Sequence, residues 1–431
     1  MKITLSTKGP RRAILTCAIL VSTAFAFHAL KYWWADRRLD SQNLPAMERG
    51  VAMVPGDADA WDRLGRFRQW SFTDPDPTAA IEDFQRAVQA EPLSANYWMD
   101  LATAYEIAGD AAKARAAYDK ARADYPISAQ VEWNYGNFLL RQQEFEPGYQ
   151  EIQKALRGDS SLIPLAISRV WRSSQDVNIL LDDVLPPNVD AYFQALDFFQ
   201  ANKLMDPALA AWQRLLTLGK PFALPRTFPF LEELIREDRS DDVKRVWQQA
   251  LEASGTPEAA ATNGSLVWNG NFTQDFLNGG LGWRWDPPLG VADSFEGAPM
   301  NLPGRSLRLD FGGGTNLQLQ MPAQFVPVEP NRAYHFHAYV RTEGITTESG
   351  LRFAIQDPRH GAELYLFTPN MTGSNPWQAV DLDLTTTPDT HFLLIFLYRA
   401  PSRLFDNKLS GTVWIADVTL TANEFTEGAR P

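Results

Sequence analysis

Two hydrophobic periods divide this sequence, and one layer of secondary structure cannot accommodate both. From about residue 57 to residue 254, apolar side chains recur at helical spacing. From residue 266 onward they alternate with polar ones, the period of a strand with one buried face. Between them runs Glu252 to Ser265 (EASGTPEAAATNGS), small, polar and turn-rich, which reads as a linker. A chain of 431 residues is expected to hold two to three domains. The predicted organisation is a membrane segment over 1–34, a helical array over 35–254, a linker over 255–265, a β-sandwich over 266–425 and a tail over 426–431.

The helical half repeats itself. Within Ala95 to Pro126, the residues Trp98, Leu101, Ala102, Tyr105, Gly109, Ala114, Tyr118, Ala121 and Pro126 form a mechanical set. Trp98, Leu101 and Tyr105 make the inner stripe of a first helix. Ala102 and Ala114 are small, so that two antiparallel helices can approach. Gly109-Asp110 turns the chain, Tyr118 and Ala121 pack the second helix on the first, and Pro126 ends it. An earlier unit has Trp61, Leu64, Gly65, Ala80, Phe84, Ala87 and Pro92, with a long turn from Ser71 to Pro77. Tyr135, Gly136, Leu139, Ile152 and Ala155 keep the register downstream. Degenerate units follow at Tyr192, Ala195, Phe199, Ala208, Trp212 and Leu215, and at Phe230, Leu231, Leu234, Val243, Trp247 and Ala250. The stretch from Ser161 to Pro187 is helical in pattern but off register. About Asp57 to Ser254 resembles the tetratricopeptide repeat family. The resemblance implies a superhelix of helix pairs whose concave surface holds a protein or peptide. A single pair cannot bury its own apolar stripe, so the units must stack. The alternative is an array that serves only as a spacer.

The second half alternates at Ser306–Phe311, Asn316–Met321, Tyr334–Val340, Gly350–Gln356, Ala379–Leu384, Phe392–Tyr398 and Thr412–Leu420. Turn signals at Glu329-Pro330-Asn331, Asp357-Pro358-Arg359 and Gly373-Ser374-Asn375-Pro376 separate these strands. Many short strands with regular turns predict an antiparallel sandwich or jelly roll. Asn269-Gly270-Asn271-Phe272, Gly282-Trp283, the run Pro330 to Phe336, Trp377 and the final Trp414-Ile415-Ala416-Asp417-Val418-Thr419-Leu420 stand in an order that resembles the carbohydrate-binding modules of jelly-roll fold. The fold class implied for the whole chain is therefore a transmembrane helix, an all-α repeat superhelix and an antiparallel β-sandwich.

Those modules often hold calcium through an acidic residue after the first motif and the first Asp of the last strand. Here those positions are Thr273 and Ala416, so no calcium is expected there, with Asp417 the one nearby carboxylate. Sugar binding needs exposed aromatic faces beside polar groups. Trp283 and Trp377 match core positions. The candidate ligand-binding residues are Trp285, in an Asp-Pro-Pro context, with Arg352, Gln356, Tyr365, Tyr398 and Arg399, and Ala354 and Phe367 are expected to lie on the same face as the strand residues. The competing expectation is that these aromatics only fill the sheets.

Ahead of this, Lys2, Lys8, Arg11 and Arg12 precede an apolar run from Ala13 to about Leu30 without Asp, Glu, Lys or Arg. Such a run can span a bilayer with its basic end in the cytoplasm. Two readings stand. One is an uncleaved signal anchor, with Tyr32, Trp33 and Trp34 at the interface, which leaves the bulk of the chain periplasmic on the inner membrane. The other is a signal peptide cleaved at Ala24-Phe25-Ala26, which leaves it secreted.

The net charge of -12 argues against nucleic acid as a partner. One cysteine, Cys17, excludes a disulfide framework. His335 and His337 share a strand face and read as polar surface, so neither a metal nor a cofactor is expected. Acid pairs such as Glu232-Glu233 and Asp182-Asp183 read as solvated faces, and no nucleophile elbow or P-loop occurs. The expectation is a non-enzymatic envelope scaffold of bacterial type. A protein or peptide would sit in the helical groove and a glycan or second protein on the sandwich, in polysaccharide assembly or export. The alternatives are a purely structural interaction protein without sugar affinity and, more distantly, a glycoside-active enzyme.

Overall fold

The computed structural model describes residues 8–41, 43–71, 75–257 and 264–423. The centre of the expected linker, the C-terminal tail, Lys2 and the middle of the Ser71–Pro77 turn lie outside the described residues. The chain forms two compact units, Met1–Phe198 and Phe199–Pro431.

The first unit opens with α1, Lys8–Leu39. Its segment Arg11–Leu39 has a mean hydropathy of 2.0 over its most apolar window and is long enough to cross a membrane. Leu20, Val21 and Phe25 on it pack against no other part of the chain among the described residues and are exposed. The last turns of the same helix are different. Ala35 and Leu39 are buried with Met47 and Val51 of α2 (Leu44–Met53) and with Ala60 and Leu64 of α3 (Ala58–Trp70). The apolar helix therefore ends as the first element of the helical core.

Three helix pairs follow: α3 with α4 (Pro77–Ala90), α5 (Ala95–Ile107) with α6 (Ala111–Asp124), and α7 (Ala129–Arg141) with α8 (Phe145–Gly158). Four of these six helix starts carry a side-chain cap. Asp57, Asp76, Asp110 and Ser128 accept hydrogen bonds from backbone N–H groups of the first turn. The pairs close through small residues. A Cβ on Gly65 would lie 2.9 Å from the Phe84 ring, and one on Gly136 would lie 2.9 Å from Ile152. Ala102, Ala114 and Ala121 are fully buried beside Tyr118, as their spacing predicts. Trp61 and Trp98 donate their indole N–H to Pro55 and Pro92 carbonyls at 2.9 and 2.8 Å, the same bond in successive units. Neighbouring units are cross-linked by Arg66–Asp100 and Arg141–Glu106, 34 and 35 residues apart. This part is a helical array resembling tetratricopeptide repeats. The off-register stretch folds as α9 (Ile163–Ser174) and a π-helical turn, Ile179–Val184, before α10 (Val189–Ala201).

The second unit holds α11 (Met205–Thr217), α12 (Phe228–Arg236), α13 (Ser240–Ser254) and two antiparallel sheets. The strands are β1 (Val291–Gly297), β2 (Arg305–Gly312), β3 (Leu319–Pro327), β4 (Ala333–Ile345), β5 (Arg352–Gln356), β6 (Tyr365–Phe367), β7 (Gly373–Thr385), β8 (Phe392–Arg399) and β9 (Ser410–Ala422). They order as β1-β2-β9-β4-β7 and β3-β8-β5-β6. Leu307, Phe336, Val413 and Ile415 of the first sheet meet Val326, Phe353, Ile355, Leu393 and Ile395 of the second in one shared core.

The last helix pair is packed on the sheets rather than spaced from them. Trp247 meets Trp268 edge-on at 5.5 Å. Gly280, at φ +56°, leaves no room for a side chain, because its Cβ would lie 2.5 Å from the Trp247 ring. Glu232 of α12 accepts from Gly280 N at 3.2 Å and from Arg284 at 2.5 Å, and Asp238 pairs with His391 at 2.8 Å.

One charge in the array is set against its surroundings. Asp62 is 1% exposed. Burial, reinforced by the Asp100 carboxylate and only partly offset by Arg66, raises its pKa to about 8. The folded state therefore holds a proton that the unfolded chain releases near pH 4. Stability from this group is complete below that value and is lost as pH rises toward about 8. Asp62→Asn mimics the protonated form. Its melting temperature should exceed that of the parent by a margin that grows from about pH 4 to about pH 8 and then levels, as read by circular dichroism melts. A margin independent of pH would exclude this titration.

Candidate functional site

The pleat of the β3-β8-β5-β6 sheet sorts its side chains. Phe353, Ile355, Leu393, Ile395 and Leu397 point into the shared core. The residues between them form the opposite face. Register aligns Ala323, Phe396, Ala354 and Phe367 in one row, Phe325, Leu394, Gln356 and Tyr365 in the next, and Tyr398 beside Arg352 in a third. The rings touch: Tyr365–Phe367 centroids are 4.5 Å apart, Phe367–Tyr398 5.2 Å and Phe396–Tyr398 6.2 Å. The Arg352 guanidinium lies 4.8 Å from the Phe367 ring centre and 5.5 Å from that of Tyr398. Among the described residues Arg352 pairs with no carboxylate, and its Nε is enclosed without a hydrogen-bond partner. Tyr365 is exposed, while Arg352, Gln356, Phe367 and Tyr398 are half-buried. Such a surface can stack a planar apolar face and offer it a cation and an amide at the edge.

Four of the six expected ligand-binding residues, Arg352, Gln356, Tyr365 and Tyr398, thus share one face. The other two require correction. Trp285 is 6% exposed, with its ring in the core against Phe276. Its Asp-Pro-Pro neighbourhood suggests a loop, but Arg284 N donates to Ala323 O at 2.8 Å and Ala323 N returns the bond at 3.0 Å. That bridge turns Arg284 outward over Phe325 and Trp285 inward. Arg399 is fully buried. It ends β8 by donating to the carbonyls of Ser349, Leu317 and Asn407 and to the Thr347 hydroxyl. Its role is to tie three loops together, and burial lowers its pKa. Phe367, half-buried, joins the four on this face as its place two residues after Tyr365 implies, whereas Phe396, 2% exposed, lies buried with Ala323 and Ala354 and serves as their support.

At one end the face runs under α12. A cavity of about 330 Å³ there is lined by Glu232, Ile235, Asp238, Phe325, Asp357 and Phe392, among others. The positions that the calcium-holding modules use are filled otherwise. Thr273 Oγ1 lies 3.2 Å from both Asn269 Oδ1 and Asn271 Oδ1. Arg305 Nε donates to Phe272 O at 2.5 Å. A guanidinium, a hydroxyl and the backbone N–H groups of Thr273 and Gln274 thus serve this loop's oxygens, while Asp417 Oδ1 of β9 is enclosed without a partner among the described residues.

In the first unit, α3, α5 and α7 lie side by side. Their shared face is polar. Beside the Arg66–Asp100 and Arg141–Glu106 pairs, Asn134 Nδ2 reaches Met99 Sδ at 3.4 Å. Buried oxygens of Asp62, Gln69 and Asn137 lack hydrogen-bond partners there among the described residues.

No family model matches the chain, and no curated protein matches it. Solved structures resemble parts of it. PilW, a widely conserved type IV pilus biogenesis factor, is 17% identical, covers 44% of this chain and 97% of its own, and has a TM-score of 0.32. PilF of Pseudomonas aeruginosa is 17% identical over 46% of this chain and 93% of its own, with a TM-score of 0.28. YrrB, a TPR protein with an unusual peptide-binding site, is 12% identical over 41% of this chain and 93% of its own, also at 0.28.

The assignment of Arg399 to the framework predicts a stability effect. Arg399→Met should lower unfolding free energy by about 3 kcal/mol, because several buried carbonyls lose their donor. Chemical denaturation measures this, and a loss within about 0.5 kcal/mol would return Arg399 to the surface.

Proposed function

We propose that this chain is a membrane-anchored, extracytoplasmic scaffold that acts by binding rather than by catalysis. In this reading the helical array holds a protein or peptide, and the two-sheet region binds carbohydrate, in assembly or export of an envelope polysaccharide.

The carrying observation is the outer face of the β3-β8-β5-β6 sheet. Contiguous aromatic rings with one uncompensated guanidinium and one amide suit a sugar ring, which has an apolar C–H face and a hydroxyl-bearing rim. The strand order supports a jelly roll. From β2 to β5 each strand crosses to the other sheet, the short β5-β6 hairpin follows, and crossing resumes from β6 to β9. The close packing of Gly270 supports the likeness to the binding modules. A Cβ there would lie 1.8 Å from Val418 O, so the first motif is seated on the last strand.

Anchoring is supported by α1. It continues without a break past Ala26 into the core residues Ala35 and Leu39. The array's part is supported by the polar face that α3, α5 and α7 share, where Arg66, Asp100, Glu106, Asn134 and Arg141 offer donors and acceptors of the kind a peptide backbone can meet.

The test uses the full chain in detergent against an array of bacterial polysaccharides. Binding should occur, and Phe367→Ala with Tyr398→Ala should weaken it about ten-fold or more at unchanged melting temperature. Arg352→Gln should weaken acidic glycans more than neutral ones. Absence of glycan binding by the parent, with protein partners recovered from envelope membranes through the same face, would leave a protein-docking scaffold instead.

A further inference from the structure

A second group of residues lies on the outer face of the other sheet. Read alone, His335 and His337 are polar strand positions. The fold adds what the sequence separates: β7 pairs with β4 so that His337 faces Asp381 and His335 faces Asp383. All four side chains project to one side, with Thr419 and Thr421 of β9 across from the histidines and Tyr339 beside His337.

The nitrogens converge. His337 Nδ1 lies 2.7 Å and His335 Nε2 3.2 Å from the same Asp381 oxygen. The other ring nitrogen of His335, Nδ1, lies 2.8 Å from Asp383. A neutral imidazole carries one N–H. If Asp383 takes it, the lone pair of His335 Nε2 points at the Asp381 oxygen, lone pair against lone pair. A proton or a metal cation between them resolves the conflict.

We propose that His335, His337 and Asp381 form a binding site for a borderline divalent metal, Zn²⁺ being the best fit, with Asp383 as the positioning residue. The three ligand atoms lie within 4.8 Å of one another. Zn²⁺ bonds of roughly 2.0–2.2 Å in a tetrahedron need ligand atoms roughly 3.3 Å apart, so small side-chain adjustments suffice. Two imidazoles with a single carboxylate select Zn²⁺ over Ca²⁺ or Mg²⁺, which prefer oxygen sets. Asp383 on the far nitrogen of His335 is the carboxylate–histidine–metal arrangement that fixes the tautomer and strengthens the ligand. His335 and His337 are partly accessible and Asp381 is exposed, so the metal has a route in and its fourth position is open to water. The competing state is a metal-free cluster in which a proton on His335 Nε2 bridges to Asp381. It places a proton where the metal would sit.

The experiment is equilibrium dialysis of the untagged full chain with Zn²⁺ above neutral pH, alongside Co²⁺ absorption spectroscopy. One metal per chain is expected, with the visible spectrum of a four-coordinate cobalt site. His337→Ala and Asp381→Asn should abolish uptake. Asp383→Asn should keep the stoichiometry and weaken affinity about 10- to 100-fold. His360 and His391 lie elsewhere, so a His391→Ala chain should bind as the parent does. No uptake by the parent, or uptake unchanged in the His337 and Asp381 variants, would overturn the site and leave the proton-bridged cluster. Polysaccharide binding by the opposite sheet is measured independently and neither result decides the other.

Discussion

The two-residue period of the β3-β8-β5-β6 sheet, clamped from beneath by a core shared with the other sheet, is the constraint on which the proposed binding face depends. Phe353 meets Phe336 across the core in a tilted contact with centroids 5.0 Å apart, and Ile355, Leu393, Ile395 and Leu397 are wholly buried around it. Each such side chain contributes about 1.5–3 kcal/mol by leaving water. A slip of one residue in β8 would exchange Leu397 for Tyr398 and invert the sheet. The aromatic rings on the outside are thus held in register by side chains that never touch a ligand. The same logic on the other sheet buries Phe336 and Ala338 and so presents His335 and His337.

The helical array meets the corresponding problem with small residues. Gly65, Ala102 and Gly136 let paired helices close, and salt bridges such as Arg66–Asp100 tie successive pairs. Its beginning is the end of an apolar helix, so the segment expected to enter a membrane and the first core element are one piece of secondary structure. In the second unit, Trp247 against Trp268 and Glu232 against Arg284 join the last helix pair to the sheets. The fit at Gly279 and Gly280 leaves no space for a side chain, which makes this a close-packed joint rather than a loose tether.

Local patterns made much of this legible. The repeat positions from Trp61 to Ala155 encode short-range packing, and the structure realises them as α3 to α8. The alternation in Tyr334–Val340 and Phe392–Tyr398 likewise becomes β4 and β8. What could not be read depends on long-range pairing. β1 is an edge strand whose side chains are mostly exposed, so it carries no alternation, and β6 is three residues long. Trp285 looked like a loop residue because Asp286-Pro287-Pro288 follows it, yet a bridge to Ala323 fixes its direction. Arg399 stands as the one charge at the end of the apolar strand β8, and it meets three loops from distant parts of the chain. Asp381 and Asp383 read as ordinary polar strand positions until the register sets them opposite two histidines.

The aromatic face is the centre of the functional account, and nuclear magnetic resonance on protein with labelled Phe and Tyr rings tests it most directly. On titration with a bacterial polysaccharide fragment, the ring signals of Tyr365, Phe367 and Tyr398 should shift together and saturate, while those of the buried Phe336 and Phe353 stay in place. Saturating shifts confined to other rings, with these three unmoved at full binding, would contradict the account.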